Sequence, residues 1–192
     1  MLLVACSVIS ACSSMQRIGS LTTLPLPDTA AVGCCWQVLQ QLEINSESEE
    51  HNLQAALALT QTAQKPHLTL ILLDALGRRM VSVRDNNDPN QQMRIDQQQA
   101  AGVAKKLPGR FLLAAVYLAY WPDDSWQKVL TDTDWALDKT PTGRTLYYHQ
   151  QAVVSVDSKQ PLFGPDSGHS VILRHHLKTL GVTINTRQRH DF

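Results

Sequence analysis

Residues 111–122 read FLLAAVYLAYWP. The run from Phe111 to Tyr120 is apolar nearly all round, which predicts a helix buried on most of its circumference. Trp121-Pro122 ends it, because proline breaks the helical hydrogen-bond ladder. Asp123, Asp124 or Ser125 can cap a second short helix, on which Trp126, Val129 and Leu130 fall at i, i+3 and i+4.

Outward from this segment the period changes from helical to two. On the N-terminal side Trp36, Val38, Leu42 and Ile44 share one face, with Gln37 and Glu43 on the other. Leu53, Ala55, Leu57 and Leu59 alternate likewise, although Ala and Leu also favour helix. From His67 to Leu73 the positions Leu68, Leu70 and Leu72 face one way, and Thr69, Ile71 and Leu73 the other. Both faces are largely apolar, as in a strand covered on two sides. Asp74-Ala75-Leu76-Gly77 supplies a turn, and Arg78–Arg84 returns with Val81 and Val83. Asn86–Gln92, with Pro89, reads as a loop, and Met93 and Ile95 as a further short strand. On the C-terminal side strands resume at Gly143. Thr145–Tyr148 and Ala152–Val156 form a hairpin around His149-Gln150-Gln151. Residues 159–168 are a Pro/Gly loop, and Ser170–Leu173 and Val182–Thr186 close the chain. Strands, a central helical segment, then strands define an α+β domain dominated by antiparallel sheet.

The 192 residues suit one domain, large enough to bury roughly 70% of its unfolded surface. The 17 basic and 17 acidic residues cancel. That balance implies neither a nucleic-acid footprint nor a general attraction to anionic lipid. After the N-terminus no apolar run approaches the roughly 20 residues that span a bilayer, so any membrane link is expected at the N-terminus.

Met1 to Ala11 reads MLLVACSVISA, like the core of a signal peptide. Ile9-Ser10-Ala11-Cys12 matches a lipobox: an aliphatic residue, two small residues, then cysteine. In that chemistry the sulfur takes a diacylglyceryl group and a peptidase cuts before it, where only small side chains fit. Residues 1–11 are therefore read as leader and Cys12 as the lipidated residue, which ties the chain to membrane lipid. The leader is short and lacks Lys or Arg, as if the true start lay upstream of Met1. The competing reading is a buried strand with two ordinary cysteines. Ser13 follows Cys12 with no Asp there. In enterobacteria-like sorting this resembles release to the outer membrane, with the domain on the periplasmic face. Residues 12–33 are rich in Ser, Thr, Pro and Gly and read as a tether, although Leu21, Leu24 and Leu26 could instead dock. The domain proper is then 34–192. Cys34 and Cys35 are adjacent and read as two small residues opening a strand. A vicinal disulfide is strained, but an oxidising compartment leaves it open.

Three segments resemble the DUF3261 family of proteobacterial lipoproteins. They are Leu68–Arg84 with Leu76-Gly77-Arg78-Arg79 at its turn, Leu107–Leu130 with Leu112-Leu113-Ala114 leading to Tyr120-Trp121-Pro122, and Arg144–Thr186. The resemblance covers most of residues 36–186. It implies a fold similar to the LolA/LolB lipoprotein carriers, an unclosed β-barrel with short helices plugging its concave face. It also implies a genetic association with aryl-polyene biosynthesis, and it carries over no catalytic residues.

Seven histidines are present, and His175-His176 is their only cluster. Neighbours on a strand point to opposite faces and cannot easily share a metal. No His-Glu-x-x-His, Walker or Gly-x-Gly-x-x-Gly motif occurs, and no cofactor or metal is expected. Gly164-Pro165-Asp166-Ser167-Gly168-His169 contains hydrolase residue types but misses the Gly-x-Ser-x-Gly spacing, and more simply marks a loop. The apolar helix is either core or a lid over a hydrophobic cavity. As a lid it would present Leu112, Leu113, Val116, Tyr117, Tyr120 and Trp121, with Trp126, to an apolar ligand. The expected function is non-enzymatic binding or transfer of a lipid, acyl or polyene molecule. Partners would be a periplasmic LolA-like carrier or a membrane transporter. The alternative is an assembly lipoprotein that docks to a transporter or synthase complex without carrying lipid.

Replacing Cys12 by Ala, with the native start site retained, is expected to release the protein from membranes or leave the leader uncut. Mass spectrometry of the mature N-terminus reads this directly, and an unmodified Cys12 in native protein would refute the anchor.

Overall fold

The computed structural model describes residues 21–46, 50–62, 65–85, 94–96, 109–160, 162, 166 and 168–192. The leader, Cys12 and the expected loop Asn86–Gln92 lie outside the described residues. The strands are β1 (Trp36–Asn45), β2 (Glu50–Thr62), β3 (Lys65–Leu73), β4 (Arg79–Asp85), β5 (Arg94–Asp96), β6 (Trp135–Thr140), β7 (Gly143–Tyr148), β8 (Gln151–Ser158), β9 (Ser170–His175) and β10 (Leu180–Asp191). Two helices, α1 (Gly109–Tyr120) and α2 (Asp123–Leu130), separate β5 from β6.

Period-two alternation builds the strands. In β1 Trp36, Val38, Leu42 and Ile44 are buried while Gln37, Leu39 and Asn45 are exposed. Leu53, Ala55, Leu57 and Leu59 line the inner face of β2, so this stretch is strand and not helix. The strands form one ten-stranded sheet in the order β5-β4-β3-β2-β1-β10-β9-β8-β7-β6. All its pairings are antiparallel. It is two meanders joined where β1 pairs β10, from Trp36 opposite Asp191 to Asn45 opposite Gly181. The ends of the order, β5 and β6, do not pair, so the sheet is an unclosed barrel.

That order dictates where the helices go. Strands β5 and β6 are consecutive in the chain but lie at opposite edges, so the segment between them must cross the sheet. The crossing runs through the concave face. Every residue from Phe111 to Trp121 is at most 4% exposed, as a helix without a polar face requires. α1 packs against β8 and β9, and side chains of β1 and β4 reach it from the other meander.

Several local expectations change. The strand β6 was not expected: only Trp135 is buried and Leu137 half-buried in an edge strand otherwise polar, so its pattern is too thin to read. β10 runs on past Thr186 through a polar tail that pairs with the start of β1. The outer face of β3 is half-exposed, not covered: Thr69 and Ile71 sit opposite Ala58 and Ala56 of β2. The N-cap of α2 is Pro122, with no side-chain cap, and Asp123 and Asp124 occupy its first turn. Residues 21–33 are not a free tether. They form two short 3-10 turns, Leu21–Thr23 and Thr29–Val32, with Leu24 fully buried, so the docking alternative is the one observed. Cys34 and Cys35 are joined as a vicinal disulfide, in place of two free thiols. The expected turn at Asp74–Gly77 stands, with the Asp74 carboxylate accepting from the Leu76 and Arg78 amides at 2.9 Å.

His175 and His176 diverge. His175 is buried and stacks on Phe111 with centroids 5.0 Å apart, while His176 lies outside, 2.9 Å from the Ser155 hydroxyl. Burial, with help from Lys178 and His176, lowers the His175 imidazole to about 4. The fold therefore holds the neutral ring. Stability from this site is complete above about pH 6.5, the unfolded value, and is lost as pH falls toward 4. A shift of that size is linked to at most about 3 kcal/mol. The variant His175→Phe is expected to lose about 2 kcal/mol less stability than wild type between pH 7 and pH 4.5, read by urea unfolding. Equal losses would mean that His175 is not held neutral.

Candidate functional site

The C-terminal end of α1 opens onto a cleft of about 640 Å³, walled by Ala31, Trp36, Tyr120, Trp121, Arg144 and Arg189. Its chemistry is organised by Arg144 of β7, which is 8% exposed. Arg144 Nη1 donates to the carbonyls of Leu118 at 2.7 Å and Trp121 at 2.8 Å. Its Nη2 stands 2.9 Å from Asp123 Oδ1 in the first turn of α2. Lys139 Nζ grips the other oxygen of Asp123 at 3.1 Å. The last carbonyls of a helix lack intrahelical partners and carry partial negative charge, so a buried cation there is well placed. A planar guanidinium fork can serve the carbonyls and the carboxylate together. Burial depresses the Arg144 pKa, and Asp123 opposes that shift.

Polar groups also stand inside the apolar interior. Gln40, on the inward face of β1, donates through Nε2 to Tyr120 Oη at 2.8 Å and Thr186 Oγ1 at 3.2 Å. Burial raises the Tyr120 phenol to about 12, against the effect of its bonds to Thr186 and Gln40. Near the other edge, Tyr117 Oη donates to Asp85 Oδ2 at 3.0 Å. Burial and that carboxylate push the Tyr117 pKa up.

The N-terminal segment is strapped to α1. Arg110 Nε donates to the Leu21 carbonyl at 3.1 Å, and its Nη2 to the Leu24 carbonyl. Trp121 Nε1 donates to the Asp28 carbonyl at 2.8 Å, and Thr29 Oγ1 to the Pro66 carbonyl of β3 at 3.0 Å.

Of the residues expected to meet an apolar ligand, Tyr120 and Trp121 line the cleft. Leu112, Leu113, Val116, Tyr117 and Trp126 lie in the packed core. Tyr117 and Trp121 touch with ring centroids 4.1 Å apart, and Trp126 Nε1 donates to the Tyr117 carbonyl at 3.2 Å. The structure thus brings the aromatic members together around one turn of α1, but does not expose all seven to a single cavity. A second cleft of about 540 Å³ lies at the opposite end of the barrel, by His175, Leu180 and Asn45. Sequence reasoning passed over Arg144, Gln40 and Arg110. Gln40 left a signal, since it is the polar residue at a core position in the row Trp36, Val38, Leu42, Ile44. Arg144 and Arg110 left none, because their partners are backbone carbonyls.

The hydrolase residue types resolve differently. His169 Nε2 meets Ser158 Oγ at 2.9 Å. That oxygen also accepts from the Gln160 amide at 3.1 Å, and its hydroxyl is directed to the Ser170 carbonyl at 3.1 Å. Gly164, Pro165 and Ser167 of the sequence motif lie outside the described residues, and the serine beside His169 is Ser158 of β8. Among the described residues no group of three or more His, Cys, Asp or Glu side chains converges as a metal site would require. No described helix is long and apolar enough to cross a membrane.

The architecture is thus that of an unclosed antiparallel barrel holding helices in its concavity. The sequence matches the family described as "Protein of unknown function (DUF3261)" over residues 37–188, and the chain belongs to that family. No curated protein matches the sequence. Among solved structures, the chain is similar to the crystal structure of LolA superfamily protein NE2245 from Nitrosomonas europaea. The TM-score is 0.42 at 8% identity, covering 82% of this chain and 86% of that one. At that distance no property of the neighbour transfers.

Replacing Arg144 by Ala is expected to destabilise the fold by about 2–3 kcal/mol, because the carbonyls of Leu118 and Trp121 lose a buried charged donor while Asp123 keeps Lys139. Arg144→Lys should recover only part of this, since an ammonium cannot fork across both helices. Urea unfolding of the two variants checks the order.

Proposed function

We propose that this protein binds or transfers a lipid or an acyl or polyene chain, as a lipoprotein anchored through Cys12 on the periplasmic face of the outer membrane. The observation that carries the reading is the apolar α1 enclosed by an open-edged sheet, with a partly polar cleft at its end. An apolar interior of this kind can hold a chain without a charged site, since each buried methylene contributes about 0.8 kcal/mol. The lipobox supports placement beside a bilayer. The family's association with aryl-polyene genes makes a conjugated acyl chain in export or assembly the first candidate. A periplasmic carrier or a membrane transporter is the partner that such a role needs. The reading is of a binder and not an enzyme.

A second reading is an assembly lipoprotein that carries nothing. The close packing of Leu112, Leu113 and Val116 favours it.

Mass spectrometry of lipid extracted from the purified full chain separates the two, and a reproducible stoichiometric chain is the expected result. Asp124→Trp, at an exposed position on the cleft wall, is expected to weaken binding of a polyene fatty acid about fivefold or more. Its stability should stay within about 1 kcal/mol of wild type, the loss of an acidic residue in a first helical turn included. A folded wild type that binds no lipid, fatty acid or polyene would leave the assembly role as the better account.

A further inference from the structure

The segment Leu21–Gly33 is packed like core, yet it pairs with no strand of the barrel. Leu24 is fully buried, Leu21 is 8% exposed, and Leu26 packs on the same cluster. Its hold is largely through main chain, with the carbonyls of Leu21 and Leu24 on Arg110 and that of Asp28 on Trp121. An apolar row beside gripped carbonyl oxygens is also the chemical pattern of an acyl ester. We infer that residues 21–33 are a built-in occupant of an acyl-chain site between α1 and β3. The cargo takes their place, its chain where the leucines lie and its carbonyl oxygen on Arg110.

The inference deepens the carrier reading and rests on it. Exchange is physically reasonable because the strap can leave without breaking a sheet ladder. The swap replaces leucine side chains by methylenes of similar transfer free energy. The donors of Arg110 and Trp121 set the chemical class. Burial already presses on Arg110, and an emptied site would leave its N–H groups unpaired. A cargo with a carbonyl or carboxyl oxygen at the head of its chain is therefore preferred over a plain hydrocarbon. Asp85 lies close enough to offset the Arg110 charge, so a neutral ester serves as well as a carboxylate.

The strap competes with cargo, so the apparent affinity is the intrinsic affinity scaled by the fraction of molecules with the strap released. The test uses the delipidated full chain and cis-parinaric acid as a fluorescent polyene probe. Leu24→Ser loosens the strap and leaves the donors Arg110 and Trp121 unchanged. It is expected to bind the probe on the order of tenfold more tightly than wild type. Hydrogen exchange on wild type gives an independent reading that needs no variant: the amides of residues 21–33 should lose protection when the probe binds. Saturable binding by wild type, with strap protection unchanged and Leu24→Ser no tighter, would overturn the strap inference and leave the carrier reading standing. Absence of binding in both folded proteins would remove the carrier reading and the strap inference with it.

Discussion

A helix with no wet face exists in water only if something wraps it, and the rest of this structure follows from meeting that demand. Each residue of α1 from Phe111 onward is buried. A flat sheet would cover one side of such a helix. The ten-stranded sheet covers more because it curls, and it can curl around a helix because β1 pairs with β10 in the middle of the order. The chain thus lays down one meander, crosses its concavity as α1 and α2, and returns as the second meander on the far side. Wrapping and connectivity are one constraint. The helical crossover has nowhere to go but through the interior, and its apolarity makes the interior the favourable place.

Enclosure of a helix raises a second demand, for partners at its ends and for its polar side chains. At the C-terminal end of α1 an arginine meets it. Arg144 caps the C-terminal carbonyls and ties them to the first turn of α2. Near the N-terminus, Arg110 holds the strap through the carbonyls of Leu21 and Leu24. Between them, Tyr117 and Tyr120 bond to the first meander, through Asp85 on β4 and Gln40 on β1, while Arg144 holds the helix from β7 of the second. Apolar contact alone leaves a helix free to slide and rotate in its sleeve. Directional bonds to both halves of the sheet give α1 one register, so the cleft beside Tyr120 has a defined shape.

The fold was largely legible because both of its periods are clean. The row Trp36, Val38, Leu42, Ile44 and the leucines of β2 and β3 alternate as strands must, and Phe111–Tyr120 cannot be anything but covered. What escaped has a common cause. β6 and the tail of β10 are made by main-chain pairing with little apolar alternation, and such pairing leaves no trace in side-chain identity. The strap escaped as a fixed element for a similar reason. Its Pro, Thr and Gly content reads as linker, while its grip comes from Arg110 and Trp121 nearly a hundred positions away. The site was legible in composition and not in assembly. The aromatic residues of α1 were identified, but their division between cleft and core depends on how the two meanders close around them.

A filled interior bears on what kind of binding this architecture allows. A preformed empty cavity would hold a chain with the full transfer free energy of its methylenes, about 0.8 kcal/mol each, and release it slowly. Here leucines already occupy the space beside α1, so on the strap proposal incoming methylenes would displace side chains of the same character, and the net gain would be a difference between similar terms. Affinity set by such a difference is modest, and occupancy then responds to small changes at the strap or the cleft. That is unsuited to storage and well suited to passing a chain onward. On the same proposal the vacated space would refill with Leu21 and Leu24 and never stand empty, so release would not incur the cost of a bare apolar cavity.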